Sequence, residues 1–97
     1  MSAVEERLAE LGFAVPDVVP PVAAYVPALR QGDWVFVSGQ LPMRDGVMPA
    51  TGKVGEAPGQ VSPAAAKELA AFCALNGIAA VKSVIGDLDK VVRIVKV

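Results

Sequence analysis

An α+β fold is predicted by three features of the sequence. The run at residues 34–38 is β-branched and aromatic up to its closing Ser38, Ser62-Pro63 opens a long apolar helix, and a second β-branched run fills residues 91–97. A long helix between two strands crosses over and packs on the face of their sheet, with the right-handed crossover that such connections take. With 97 residues the chain is one small domain or part of one.

The elements follow in order. Val4, Leu8 and Leu11 recur at helical spacing with Glu5, Glu6, Arg7 and Glu10 opposite them, so residues 3–11 form a short amphipathic helix with Ser2 as N-cap and Gly12 as its stop. Four prolines, Pro16, Pro20, Pro21 and Pro27, exclude helix from the next stretch. Residues 22–29 are expected as an extended edge strand with Tyr25 at its centre. Gln31-Gly32-Asp33 is a turn cluster. In the strand that follows, Trp34 and Phe36 share one face and Val35 and Val37 the other, which predicts cover on both sides. Asp45-Gly46 has the residue types of a tight hairpin turn, with a return strand from Val47-Met48 and then a loop over residues 49–61.

Ser62 is an N-cap and Pro63 sits at the first helical position, where its missing N–H costs nothing. The helix runs from residue 64 to about 85, with a possible break at Asn76-Gly77. It carries only Lys67, Glu68 and Lys82 as charges, which predicts packing on more than one face. Its longest charge-free run, residues 69–81, is short of the roughly 20 apolar residues of a membrane span, so it reads as a buried helix and no membrane is expected. Gly86-Asp87 closes it and Leu88-Asp89-Lys90 leads to the last strand.

Composition restricts the chemistry. Nine Lys and Arg against ten Asp and Glu give a net charge of −1, so the basic excess that neutralises a phosphate backbone is missing and nucleic acid is not the expected partner. Without any His and with a single Cys, histidine bases, Cys/His zinc sites, Cys-His nucleophile pairs and an internal disulfide are all excluded. The lone Cys and the absence of a basic-then-apolar opening lead to the expectation of a cytoplasmic protein. An apolar content of 54% and a mean hydropathy of +0.49 exceed what so small a sphere can hide, which predicts partner subunits or further chain.

Candidate site residues gather at the end of the best strand. Ser38-Gly39-Gln40 is either a bulged strand terminus or a place where backbone approaches a ligand closely. Tyr25 is either a core or rim aromatic or a pocket wall with a phenolic donor. Cys73 lies mid-helix with no basic neighbour and reads as an inert thiol. Asp87 and Asp89 read as turn residues, and Arg30, Arg44 and Arg93 are candidate carboxylate or phosphate clamps.

Taken together, Ala24-Tyr25-Val26-Pro27-Ala28-Leu29, the string from Gly32 to Pro42 (GDWVFVSGQLP) and the helix segment from Cys73 to Lys82 (CALNGIAAVK), followed by Gly86-Asp87-Leu88-Asp89, resemble the YjgF/RidA family of reactive-intermediate deaminases. The resemblance spans essentially the whole chain. It implies a chorismate-mutase-like mixed sheet packed by a long helix, incomplete at the C-terminus, and a homotrimer with clefts between subunits. In those clefts, family members hydrolyse enamine and imine acids such as 2-iminobutanoate to the keto acid and ammonia, without metal or cofactor. Carried over by position, Tyr25 lines the cleft, Ser38 and Gly39 lie on its floor, and the ligand is a small carboxylate-bearing metabolite. The family's carboxylate-gripping arginine and its acidic residue for the hydrolytic water belong to later segments, and Arg93 is on the wrong strand to replace the arginine. The 97 residues alone are therefore expected to be inactive. The same fold could instead serve as a non-enzymatic metabolite-binding homotrimer.

Overall fold

The computed structural model describes residues 2–97 and holds an α+β arrangement in which one long helix backs a two-stranded antiparallel hairpin. Helix α1, Ala3–Glu10, begins as predicted at Ser2. The Ser2 hydroxyl accepts the Glu5 N–H at 3.1 Å while the Glu5 carboxylate accepts the Ser2 N–H at 3.1 Å, a reciprocal capping box. Two further free N–H groups of that first turn, of Ala3 and Val4, donate to the Asp89 carboxylate at 2.9 and 3.1 Å. The Lys82 ammonium donates to the other side of Glu5. Residues more than 75 positions apart thus dock α1 by charge and by helix-end hydrogen bonds rather than by buried apolar area, since α1 buries no residue fully.

Strands β1, Ala28–Gln31, and β2, Trp34–Val37, pair in the register Ala28↔Val37 to Gln31↔Trp34. Their two-residue turn, Gly32-Asp33, needs the left-handed backbone of Gly32 at φ +59°. The expected strand over residues 22–29 is corrected by this pairing. β2 has no residue left to pair with positions 22–27, Pro20, Pro21 and Pro27 contribute no N–H, and the chain bends where the Tyr25 N–H donates to the Ala23 carbonyl at 2.9 Å. Gln31 is accordingly a strand residue and not part of the turn.

Helix α2, Pro63–Ile85, starts at Ser62, whose hydroxyl accepts the Ala65 N–H at 3.1 Å. It packs against β1, β2 and a 3-10 turn at Leu88–Lys90. Asn76, Ala79 and Ala80 share one face by their 3- and 4-residue spacing, and with Leu88 they are the fully buried residues among those described. No break occurs at Asn76-Gly77. The Asn76 amide, 2% exposed, donates to the Leu41 and Met43 carbonyls at 3.0 and 2.9 Å, so it fastens the segment after β2 to the helix without disturbing the helix backbone.

Other expectations are corrected here. Arg44 and Val47 exchange backbone hydrogen bonds of 2.9 and 3.0 Å around Asp45 (φ +52°) and Gly46 (φ +78°), which is the predicted tight turn, but the return strand stops at that single bridge. Residues 91–97 form no strand, because no described strand lies beside them to accept their hydrogen bonds, and Val92 is 90% exposed. The crossover between strands is consequently not built. Cover on both faces of β2 is also absent: Trp34 and Phe36 are 54% and 60% exposed, while Ala28 and Val35 on the opposite face are half-buried. Finally, α2 at 23 residues is long and apolar enough to cross a membrane by length and composition, which corrects the shorter estimate from its charge-free run; its packing on the hairpin and the 3-10 turn is the alternative use of those apolar faces.

Two outcomes test this packing. Asn76→Ala leaves two carbonyls without donors and is expected to cost about 2 kcal/mol in chemical denaturation. Gly77→Ala is expected to raise stability by about 0.5–1 kcal/mol, since an added Cβ meets the Gln40 side chain only at ordinary contact distance, 3.9 Å, and a mid-helix glycine is entropically costly. The α1 contact carries a pH signature. Hydrogen bonds from Lys82 and then Ser2 hold the Glu5 carboxyl at about 2 instead of 4.5. A depressed folded-state value stabilises fully above the unfolded one, so the Glu5 contribution is present above pH 4.5 and disappears as pH falls to about 2. Amide shifts of α1 followed by NMR are expected to show this acid step, and Glu5→Gln is expected to remove it.

Candidate functional site

The open end of the hairpin, opposite its turn, forms the site. The final ladder pair, Ala28↔Val37, is continued by the Ser38 N–H, which donates to the Pro27 carbonyl at 3.0 Å. The Ser38 hydroxyl donates to the Val26 carbonyl at 2.6 Å. These two bonds hold the proline-bent segment 25–27 against the end of β2, and a shallow groove of about 270 Å³ opens there. Leu29 and Phe36, directly paired across the ladder, and Ala28 and Val37 make its apolar walls; Tyr25, Val26 and Ser38 close its end.

Two of the three predicted site residues, Tyr25 and Ser38, therefore meet in one groove, although they are 13 positions apart. Tyr25 is 39% exposed and its phenol makes no hydrogen bond among the described residues. Gly39 does not line the groove. It is exposed, and a Cβ placed on it meets nothing within 4 Å, so close backbone approach is not what the position provides here. Beyond it, the Gln40 amide donates to the Ser38 carbonyl at 3.2 Å and leads to the Leu41 and Met43 carbonyls held by Asn76.

None of the candidate cations reaches the groove. Arg30 folds back over the turn, donating Nε–H to the Gly32 carbonyl at 3.0 Å; Arg44 lies over the Phe72 ring at 5.0 Å; Arg93 is in the exposed segment after the 3-10 turn. Asp87 accepts the Asp89 N–H, the turn role expected of it, whereas Asp89 caps α1, a long-range role its local sequence did not announce. A larger recess, about 370 Å³, lies between residues 15–18 and the end of α2, but it contains none of the predicted site residues and its Lys82 is engaged by Glu5.

Asn76 is the functional-site support that sequence reasoning missed. Its signal was present: a primary amide inside a helix otherwise nearly free of polar groups has to find partners when buried, and only carbonyls from another segment could supply them.

No protein-family model matches the chain. It is similar to protein TCP17 of Trypanosoma cruzi, with 35% identity over 93 residues that cover 96% of this chain and 56% of that protein. Among solved structures it shares the fold of Atu1372 from Agrobacterium tumefaciens, a protein of unknown function, with a TM-score of 0.77, 42% identity, and coverage of 94% of this chain and 52% of that one. A protein from Shewanella oneidensis MR-1, provisionally named an endoribonuclease, aligns with a TM-score of 0.78 and 27% identity over 88% of this chain and 54% of that one. The chain thus spans about half the length of the relatives it matches.

Cys73 gives a direct check on the packing behind this site. Burial raises its thiol above the ordinary value, so alkylation of the folded protein at pH 8 is expected to be slower than that of the denatured chain, with the fast rate restored in denaturant.

Proposed function

We propose that the chain is a YjgF/RidA-type protein of chorismate-mutase-like fold, and that its complete form hydrolyses small enamine and imine acids. The observation that carries this reading is the apolar groove in which Tyr25 and Ser38 converge at the end of the strand bearing the GDWVFVSGQLP string. The 42% identity to a solved structure of the same fold supports the framework. In this reading the subunits assemble as a homotrimer whose clefts include the groove, and the exposed Trp34, Phe36 and Leu29 supply the apolar surface for such assembly.

The substrate is a small carboxylate-bearing metabolite such as 2-iminobutanoate. Water adds to its C=N carbon and ammonia leaves, giving the keto acid; no metal or cofactor takes part. The groove's own lining contains no cation, so the arginine that grips the carboxylate and the acidic residue that activates water come from outside it. A cytoplasmic location is part of the same proposal.

A non-enzymatic role is the second reading, favoured by one observation: the groove lining has no carboxylate, cation or imidazole for proton transfer. The endoribonuclease name of the Shewanella protein does not carry over as well, because a chain of net charge −1 without histidine offers neither an RNA-tracking surface nor an imidazole acid/base.

The test is ammonia release from freshly generated 2-iminobutanoate by the complete polypeptide. Acceleration over the spontaneous rate is expected, with a three- to tenfold loss in Tyr25→Phe, the equivalent of about 0.5–1.5 kcal/mol for one hydrogen bond. Binding of 2-ketobutyrate with ammonia release at the spontaneous rate would favour the non-enzymatic reading.

A further inference from the structure

We infer that α1 is a detachable strap: it leaves the molecule by itself while α2 and the hairpin stay folded together, and its departure uncovers Leu88 and opens the recess beside residues 15–18. The groove at the hairpin end takes no part in this. The attachment of α1 is polar and concentrated in its first turn. Asp89 accepts the Ala3 and Val4 N–H groups on its two oxygens, at 2.9 and 3.1 Å, and Lys82 donates to Glu5. The remaining charges add no bond across the contact. Arg7 pairs with Glu10 inside α1 at 2.8 Å, Asp87 is turned to the Asp89 N–H, and Glu6 and Lys90 make no ion pair among the described residues.

Apolar cover adds little to this hold, since α1 buries no residue fully. The tether adds less. The Phe13 N–H returns to the Leu8 carbonyl, but residues 14–22 make no hydrogen bond among the described residues, so α1 can leave without breaking a bond of β1. What lies beneath is closed only while the strap is on. Leu88, 3% exposed, is shut in where the 3-10 turn meets α1 on one side and α2 on the other. The recess has residues 15–18 as one wall and Ala79, Lys82, Ser83 and Gly86 as the other. Lys82 belongs to both, so release of Glu5 leaves an ammonium facing an opened recess. A helix of eight residues does not persist alone in water, so detachment and melting of α1 are one event, which amide exchange reads directly.

The experiment measures amide hydrogen exchange of the full chain by NMR at pH 7. The amides of Arg7, Leu8 and Ala9 are expected to exchange at least about tenfold faster than those of Ala79 and Ala80, because they open without the rest. Asp89→Asn, which keeps the shape and removes the charge, and Lys82→Met, which keeps most of the stem, are each expected to speed α1 exchange by about three- to tenfold while Ala79 and Ala80 change by less than about twofold. With a neutral nitroxide in the solvent, relaxation of the Leu88 methyls and of the Val15 and Ser83 amides is expected to rise in both variants, and that of the Trp34 indole to stay the same. A common exchange rate for α1 and α2, α1 exchange unchanged in both variants, lost protection of Ala79 and Ala80 in either, or Leu88 still shielded from the nitroxide in both overturns the inference.

Discussion

The structure depends on one buried amide. Asn76 sits on the buried face of α2 against the segment that follows β2, and its two N–H groups are both used, by the Leu41 and Met43 carbonyls. A carboxylate of the same shape would face two carbonyls with nothing to donate, and an aliphatic side chain would leave both carbonyls dry and unpaired. The clamp acts only a few residues beyond Ser38, and Gln40 fills the interval by donating to the Ser38 carbonyl while its stem lies beside Gly77. The end of β2 is thereby referenced to the rigid helix, and the groove inherits that position. Loops carry binding residues usefully when a scaffold fixes them, and here a single side chain does most of the fixing.

The rest of the molecule is held more loosely than its composition would allow. More than half of the residues are apolar, yet full burial is limited to Asn76, Ala79, Ala80 and Leu88 among those described. The radius of gyration, 14.6 Å, exceeds the roughly 12.5 Å of a compact chain of this length. Leu29, Trp34 and Phe36 form one face of the hairpin, and each such side chain is worth about 1.5–3 kcal/mol when it leaves water. That stabilisation goes uncollected among the described residues and is available to whatever covers the face. Helix α1 is held on the other side by different means. Asp89 and Lys82 bind its first turn through charge, so its attachment responds to pH and salt while the hairpin face responds to apolar cover.

What could be read from the sequence follows from how local each signal is. The caps at Ser2 and Ser62, the start of α2 at Pro63 and the Asp45-Gly46 turn are set by neighbours within four residues, and all appear where their residue types place them. The strand at residues 91–97 failed for the opposite reason: its β-branched pattern states a preference, but a strand exists only with a partner. The segment 22–29 failed because proline pattern tolerates an edge strand without requiring one, and the turn at Gly32-Asp33 decided the register from the other side. At the site, Tyr25 and Ser38 were legible as residue types suited to a pocket. Their meeting, the withdrawal of Arg30 and Arg44, and the displacement of Gly39 from the lining are tertiary facts with no local trace.

The bond from Ser38 to Val26 ties the proline-bent segment to the end of β2. It acts structurally, because segment 25–27 lacks the N–H of Pro27 and lies beyond the last ladder pair; the hydroxyl adds a bond to the Val26 carbonyl beside Tyr25. Tyr25 is under no such obligation and keeps both donor and acceptor. The geometry at the strand end is therefore set by how the hairpin is tied shut, before any molecule enters the groove.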